Sequence, residues 1–261
     1  MAEPQKNFDL KEEIRAYWSA RAETFDQSAS HFIEDRYGKP EWQKFLRQAA
    51  GLGSHDGMDG LRALDLACGT GEISRMLCSL GADVRGLDFS EAMLAKAQSK
   101  LKDQKWMAIL SDAENLKGVK ADSFDFAVTR HLAWTLTDPK AAFAEWSRVL
   151  KPGGRLLIND GNWSLPFSRS YWIKRKISNW LQPEIPRSEN DKRLDTAIRS
   201  RLPYRGGLFE ERLIEDLCNA GFELVQRLDP SALYQKGMLA VPFAQRLRQT
   251  SENRFSLVFS K

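Results

Sequence analysis

The chain has 261 residues, of which 42% are hydrophobic and 28% charged, with a formal net charge of +4. That is enough apolar surface for the core of one or two domains and excludes a disordered chain, while so mild a charge does not by itself point to nucleic acid. No apolar run approaches the roughly 18 residues of a membrane span, the opening MAEPQKNFDLKEEIRAYW lacks the apolar stretch of a secretory signal, and Cys68, Cys78 and Cys218 have neither disulfide nor metal-ligand spacing, which gives the expectation of a cytoplasmic protein with no metal site.

In chain order, Leu10, Ile14, Tyr17, Trp18 and Ala22 recur at three- and four-residue steps and predict a helix. Pro40 and the glycine-rich GLGSHDGMDG, residues 51–60, break the pattern. LRALDLAC then reads as a buried strand, GTG as a turn and EISRMLCSLG as a helix closed by Gly81. ADVRGLDFS is a second strand, and EAMLAKAQSKL a helix with Ser90 as N-cap and Met93, Leu94, Ala97 and Leu101 on one face. WMAILSDA and FDFAVTR are strand-like, PKAAFAEWSRVL is a helix, KPGG a turn and RLLIND a further strand. The pattern lapses from 164 to about 207. FEERLIEDLCNAG then predicts a helix, FELVQRL a strand, and RFSLVFSK a last strand after an excursion. Strand–helix alternation requires crossover connections, so the fold class is α/β, with a parallel sheet covered on both faces.

The chemistry concentrates in LDLACGTGEIS, residues 64–74, where the first strand meets the first helix. Gly69 and Gly71 have no Cβ and let the backbone approach a ligand closely. Asp88, 17 residues beyond Gly71 at the end of the second strand, is placed to accept both hydroxyls of a ribose. The combination points to an adenosine-type ligand. A dinucleotide fingerprint would have a third glycine where this chain has Ser74. Asp65, just below the turn, gives a nicotinamide site nothing obvious but suits a cofactor carrying an ammonium group.

These residues resemble the class I S-adenosylmethionine-dependent methyltransferases. LDLACGTG resembles the first motif, GLDFSEAML the second-strand acid, SDAENL the third-strand adenine contact, FDFAVTRHLAW the fourth-strand motif and RVLKPGGRLLIND the helix–turn–strand that follows. Ala67 stands where many relatives have a glycine. The resemblance implies a doubly wound, Rossmann-like sheet of seven strands with the last antiparallel, S-adenosyl-L-methionine as cofactor and S-adenosyl-L-homocysteine as product. It divides the chain into an N-terminal helical cap (1–50), a core (51–163 and 208–261) and an inserted lid or substrate-binding segment (164–207). By the resemblance, Asp65 orients the methionine amino group, Ala67, Gly69, Thr70 and Gly71 form the floor, Asp88 binds ribose, and Phe89 and Met93 flank adenine. Asp112 and the Ala113 N–H meet the adenine edge, while Arg130 and His131 border the methionine moiety and the acceptor. Plain structural roles compete for each: strand-end caps for Asp65 and Asp88, a loop cap for Asp112, core packing for Phe89 and Met93.

Positioning supplies roughly 7–11 kcal/mol to such a transfer, whereas a general base contributes about 10²–10⁴-fold. An obvious catalytic residue is therefore not required, and His131 is the candidate base. Asp160, Asn162, Trp134 and Trp163 are candidates for the acceptor side, as are Tyr171 and Trp172 in the insertion and Trp18, Arg21 and Phe25 in the N-terminal helix. Residues 169–205 carry ten Lys/Arg against four Asp/Glu, with aromatic residues interleaved. They read as a cover receiving a small-molecule acceptor, anionic or aromatic, or as a membrane-surface or nucleic-acid helix, or as a solvated basic face. RHLAW replaces the Pro-Pro-aromatic motif of amino-methylating nucleic-acid enzymes, so an RNA or other macromolecular acceptor is the alternative reading, followed by a non-catalytic cofactor-binding protein. The acceptor atom and the oligomeric state stay open at this stage.

Overall fold

Strand–helix alternation from Arg62 onward produces the expected sheet. In the computed structural model, which describes residues 4–183 and 188–261, the elements are α1 (Pro4–Ser19), α2 (Gly38–Ala50), β1 (Arg62–Leu66), α3 (Glu72–Cys78), β2 (Asp83–Asp88), α4 (Glu91–Leu101), β3 (Trp106–Leu110), β4 (Phe124–Arg130), α5 (Pro139–Val149), β5 (Leu150–Gly161), α6 (Arg169–Leu181), α7 (Glu189–Arg201), α8 (Glu210–Cys218), β6 (Glu223–Leu228), α9 (Ser231–Tyr234), α10 (Phe243–Arg246) and β7 (Arg254–Ser260). Residues 1–3 of the expected cap and 184–187 of the expected insertion lie outside the described residues. The sheet order is β3-β2-β1-β4-β5-β7-β6. β1 to β5 are parallel, and β7 runs antiparallel to both β5 and β6. The carboxyl ends of the parallel strands therefore share one edge, where ligands bind in open α/β sheets.

Alternation along the strands divides the core in two. Leu64 and Leu66 face α5 and α8, packing with Phe143, Trp146, Leu213 and Leu217. Ala63, Val84 and Val128 face α2 and α3, packing with Trp42, Phe45, Leu46, Ile73, Met76 and Leu77. Sequence signals account for the helix ends: Ser90 accepts from the Met93 N–H, Asp138 caps α5 with Pro139 behind it, and Gly51 closes α2 at φ 77°.

Three differences from the sequence reading have local causes. KPGG lies inside β5, which begins at Leu150. The β4–β5 register jumps between Phe124 and Phe126, and the Gly153 N–H donates to the Lys261 carbonyl, so the loop stays paired. β3 stops at Leu110 because the Asp112 carboxylate accepts from the Glu114 N–H and turns the chain. The 1–50 segment is not one cap: α2 contributes Trp42, Phe45, Leu46 and Ala49 to the sheet's own core. α1 instead forms a small third cluster, Leu10, Ile14 and Tyr17 against Ile198 of α7 and Leu202 at its C-terminal cap. No described helix is long and apolar enough to cross a membrane.

Leu46→Ala should therefore cost about 2–5 kcal/mol, the ordinary range for a fully buried leucine, measured by urea denaturation. A change within about 0.5 kcal/mol, as for a surface position, would restore α2 to a dispensable cap.

Candidate active site

The turn after β1 places three residues at positive φ, Ala67 (56°), Gly69 (55°) and Gly71 (84°). The two glycines serve different ends. A Cβ on Gly69 would project into the cleft and meet only Phe25 Cε1, at 3.8 Å. A Cβ on Gly71 would lie 2.9 Å from Leu101 Cδ1 and 3.1 Å from Ala97 Cβ, so its absence lets the turn close onto α4. The cleft beside Gly69, about 820 Å³, is lined by Asp65, Ala67, Gly69, Thr70, Asp88, Phe89, Met93, Arg130 and His131. Ile14, Trp18 and Phe25 from the N-terminal segment form its opposite wall. A narrower extension adds Lys11, Asp112 and Ala113.

Three carboxylates stand at the ends of three adjacent strands. Asp65 is buried and accepts from Ser74 Oγ at 2.7 Å; burial pushes its pKa up to about 6 against the pull of Ser74. Asp88 accepts from the Gly69 N–H through one oxygen and the Ser90 N–H through the other, both at 2.9 Å, and burial raises it too. Asp112 accepts from Lys11 Nζ at 2.5 Å, and Lys11 also meets Glu114 at 2.8 Å. Each engaged carboxylate oxygen keeps acceptor capacity beyond the bond it makes. A floor that any side chain would fill, with acids spaced along one edge, fits a nucleoside bearing an ammonium-containing chain.

The N-terminal segment is fastened across this edge by polar bonds. Ser19 Oγ meets Ser90 Oγ at 2.8 Å, and Thr70 Oγ1 donates to Asp26 at 2.6 Å. The Ile33 N–H donates to buried Glu72, which also pairs with Arg75 (2.9 Å) and Lys100 (2.6 Å). Arg21 lies over the Tyr17 ring and reaches Asp191 of α7 at 3.3 Å, away from the cleft lining.

At the β4 end the charge is positive. Arg130 lies over Trp42 and donates through Nη2 to the carbonyls of Ser30 and His31, each at 2.7 Å. Arg254 is held between the Trp163 and Tyr234 rings and donates through Nε to the Thr250 carbonyl. Neither guanidinium has a carboxylate within 4.0 Å among the described residues.

His131, at φ 64°, does not suit the role of base expected of it. Its Nε2 lies 3.3 Å from Arg254 Nη1, which only donates, so the ring hydrogen belongs on Nδ1, a buried atom with no partner among the described residues. Burial and the two arginines hold its pKa well below the ordinary range. His31, which the sequence reading passed over, is the better placed imidazole. It stacks on Phe25 with centroids 3.9 Å apart, and Nδ1 donates to the Phe25 carbonyl at 3.2 Å, leaving the Nε2 lone pair without a hydrogen-bond partner among the described residues. Burial lowers its pKa to about 4, so it is neutral at pH 7 and a weak base.

Several expected acceptor-side residues do not line this cleft. Asp160 and Asn162 are turn-holding groups: Asp160 Oδ1 accepts from the Gly161 N–H, and Asn162 Oδ1 accepts from Ser164. Trp134, under the Arg199 guanidinium, and Trp163 line a separate groove of about 560 Å³ with Arg199 and Arg205. Tyr171 and Trp172 lie on α6, which packs against α10 rather than over the cleft, so within 164–207 it is α7 that meets α1. Sequence spacing could not reveal this, because the two helices leave in different directions.

Asp88→Ala should abolish nucleoside binding in calorimetry and also destabilise the fold, by about 1–3 kcal/mol for each N–H it orphans; unchanged affinity would remove Asp88 from the site. Buried Asp160 has its pKa pushed up to about 7 by desolvation, opposed by the Gly161, Ala133 and Trp134 N–H groups. The folded state thus holds this proton more tightly than the unfolded one between about pH 4 and 7, and stability is lost as pH rises through that window. Asp160→Asn should flatten the fall in melting temperature between pH 5 and 8, whereas a parallel decline in variant and parent would contradict the assignment.

The methyltransferase domain family matches residues 64–158, the stretch that builds the glycine turn and the strand-end acids. A ubiquinone biosynthesis O-methyltransferase of Methylococcus capsulatus is 28% identical over 53% of this chain and 58% of its own. A demethylmenaquinone methyltransferase of Clavibacter sepedonicus is 40% identical over 38% and 40%. The putative methyltransferase YqeM of Bacillus subtilis is 35% identical over 53% of each. The chain thus spans about half the length of these relatives. Among solved structures, the [4+2]-cyclase SpnF matches with a TM-score of 0.60 at 18% identity, covering 95% of this chain and 94% of that one. An S-adenosylmethionine-dependent methyltransferase from Mesorhizobium loti matches at 0.53 and 22%, covering 85% and 98%. Residues 64–158 thus match the methyltransferase domain family, and the fold is the one shared with solved S-adenosylmethionine-dependent methyltransferases.

Proposed function

We propose that the protein binds S-adenosyl-L-methionine in the cleft over Gly69 and transfers its methyl group to a small-molecule acceptor at the Arg130–His31 end. The observation that carries this is the three acids on successive strand ends beside a floor that a Cβ would fill. Asp65 would hold the methionine amino group, Asp88 the ribose, and Asp112 with Ala113 the adenine edge. The cofactor supplies a sulfonium methyl group already activated for attack by a nucleophile. What the protein contributes is alignment and exclusion of water: Ile14, Trp18 and Phe25 close the cleft from above, and such positioning is worth roughly 7–11 kcal/mol.

The charge at the β4 end narrows the acceptor. Arg130 and Arg254, both without a carboxylate partner among the described residues, disfavour an ammonium group and favour a neutral acceptor or one reacting as an oxyanion. The names of the relatives, ubiquinone and demethylmenaquinone methyltransferases, agree with an aromatic acceptor. If a proton must be removed, His31 Nε2 is the group with a free lone pair.

Calorimetry should detect binding of both cofactor forms. Because the positively charged methionine amino group prefers ionised Asp65, affinity should fall as pH drops below about 6. Asp65→Asn should lose at least tenfold in affinity and this pH dependence with it. Transfer of labelled methyl should occur to phenols or quinols in a metabolite panel. Label appearing only in RNA or protein would favour the macromolecular reading, and cofactor binding without any transfer the non-catalytic one.

A further inference from the structure

Helix α6 buries the wrong side chains for an ordinary surface helix. Ser178 is 0% exposed and donates its hydroxyl to the Ala244 carbonyl at 2.6 Å, whereas Trp180, two residues on, is 82% exposed. Trp172, Ile173, Ile177 and Leu181 are exposed on the same helix. On a turn of about 3.6 residues Ile173, Ile177 and Trp180 fall on one stripe, with Trp172 and Leu181 at its two borders. Phe243, on the packed neighbour α10, adds a further exposed ring. The inward side is firmly tied. Tyr171 packs on Phe167 with centroids 4.4 Å apart, Ser168 caps the helix and bonds Glu252, and Arg248 donates to the Gln182 carbonyl. The helix is thus held with its large apolar residues facing solvent, an arrangement that marks an interaction surface.

The charges indicate what that surface meets. RSYWIKRKISNWL contains no Asp or Glu and has Arg169, Lys174, Arg175 and Lys176. Arg169, Lys174 and Lys176 form no ion pair within 4.0 Å among the described residues. A helix with tryptophan and isoleucine on one stripe and Lys and Arg beside it suits the headgroup layer of a bilayer, where rings sit at the interface and long basic side chains reach the phosphates. Its 13 residues span about 20 Å, too short for the ~30 Å hydrocarbon core, so it would lie in the surface rather than cross. A second copy of the chain fits less well, because self-association would bring the same cations together and lysine is depleted from interface cores.

We infer that the exposed stripe of α6, with Phe243, docks the protein on an anionic lipid surface. The docking involves none of the residues that line the cleft and stands whether or not methyl transfer is the reaction.

The test is co-sedimentation of the full chain with vesicles of pure phosphatidylcholine and of phosphatidylcholine with 30% phosphatidylglycerol. Binding should require the anionic lipid and weaken at least tenfold between 0.1 and 1 M NaCl. The double variants Trp172→Ser/Trp180→Ser and Lys174→Glu/Lys176→Glu should each lose at least tenfold. Both should retain parental affinity for S-adenosyl-L-homocysteine, which shows that they fold. Absence of vesicle binding by the parent overturns the inference, as does equal binding to neutral vesicles or undiminished binding by the variants. A concentration-dependent dimer that the tryptophan variant abolishes, or displacement of the vesicles by a uridine oligonucleotide, would assign the stripe to a second copy or to RNA.

Discussion

One carboxylate sets the spacing of the site. Asp88 ends β2 and accepts the Gly69 N–H through one oxygen and the Ser90 N–H through the other, so it joins the turn after β1 to the turn after β2. Both loops sit at an edge where the strands no longer hold them together, and the buried acid replaces the missing ladder. Each of its oxygens retains a lone pair, so under the proposed function the group that fixes the loops would also be the one offered to a sugar. Fold and affinity would then be inseparable at this position, because the bonds that shape the floor and the bonds that would hold the ligand leave the same two atoms.

The core was legible because it obeys periodic rules. Buried runs such as LRALDLAC and FDFAVTR read as strands, and the helix cap at Ser90 is a local signal that tertiary contacts did not override. The acids could be placed from sequence because each lies within two residues of a strand end: Asp65 inside β1, Asp88 closing β2 and Asp112 just past β3. What could not be read was anything that depends on where a non-periodic segment travels. His31 gave no signal, since its place beside the cleft comes from the loop that Arg130 pins through the Ser30 and His31 carbonyls. Trp134, Asp160, Asn162 and Trp163 were expected near the acceptor because they sit at the ends of the correct strands, yet Trp134 and Trp163 line a separate groove and Asp160 and Asn162 hold the turn after β5. Arg254 escaped notice because it enters from β7, far away in sequence.

The two ends of the cleft differ in electrostatic character, and the sheet order is the reason. β1, β2 and β3 carry Asp65, Asp88 and, just beyond β3, Asp112, so that side is acidic. β4 and β7, on the other side of β1, carry Arg130 and Arg254. A molecule with a positive centre is drawn to one side and an electron-rich one to the other, which places unlike partners head to head across β1. Burial sharpens this contrast, since charges separated from water by Trp18, Phe25 and Trp42 interact through a poorer dielectric than surface groups do.

The covering segment differs from the body beneath it in what holds it. The sheet is closed by leucine, valine and aromatic packing on two faces. The first thirty residues rely far more on ionic contacts: Lys11 with Asp112 and Glu114, Lys96 with Glu23, Lys100 with Asp26, and Arg201 with Glu13. Partly exposed pairs of this kind are screened over a Debye length of about 8–10 Å at physiological ionic strength, while apolar burial strengthens slightly in many salts. Added electrolyte therefore weakens the ties of the covering segment before it weakens the packing of the sheet.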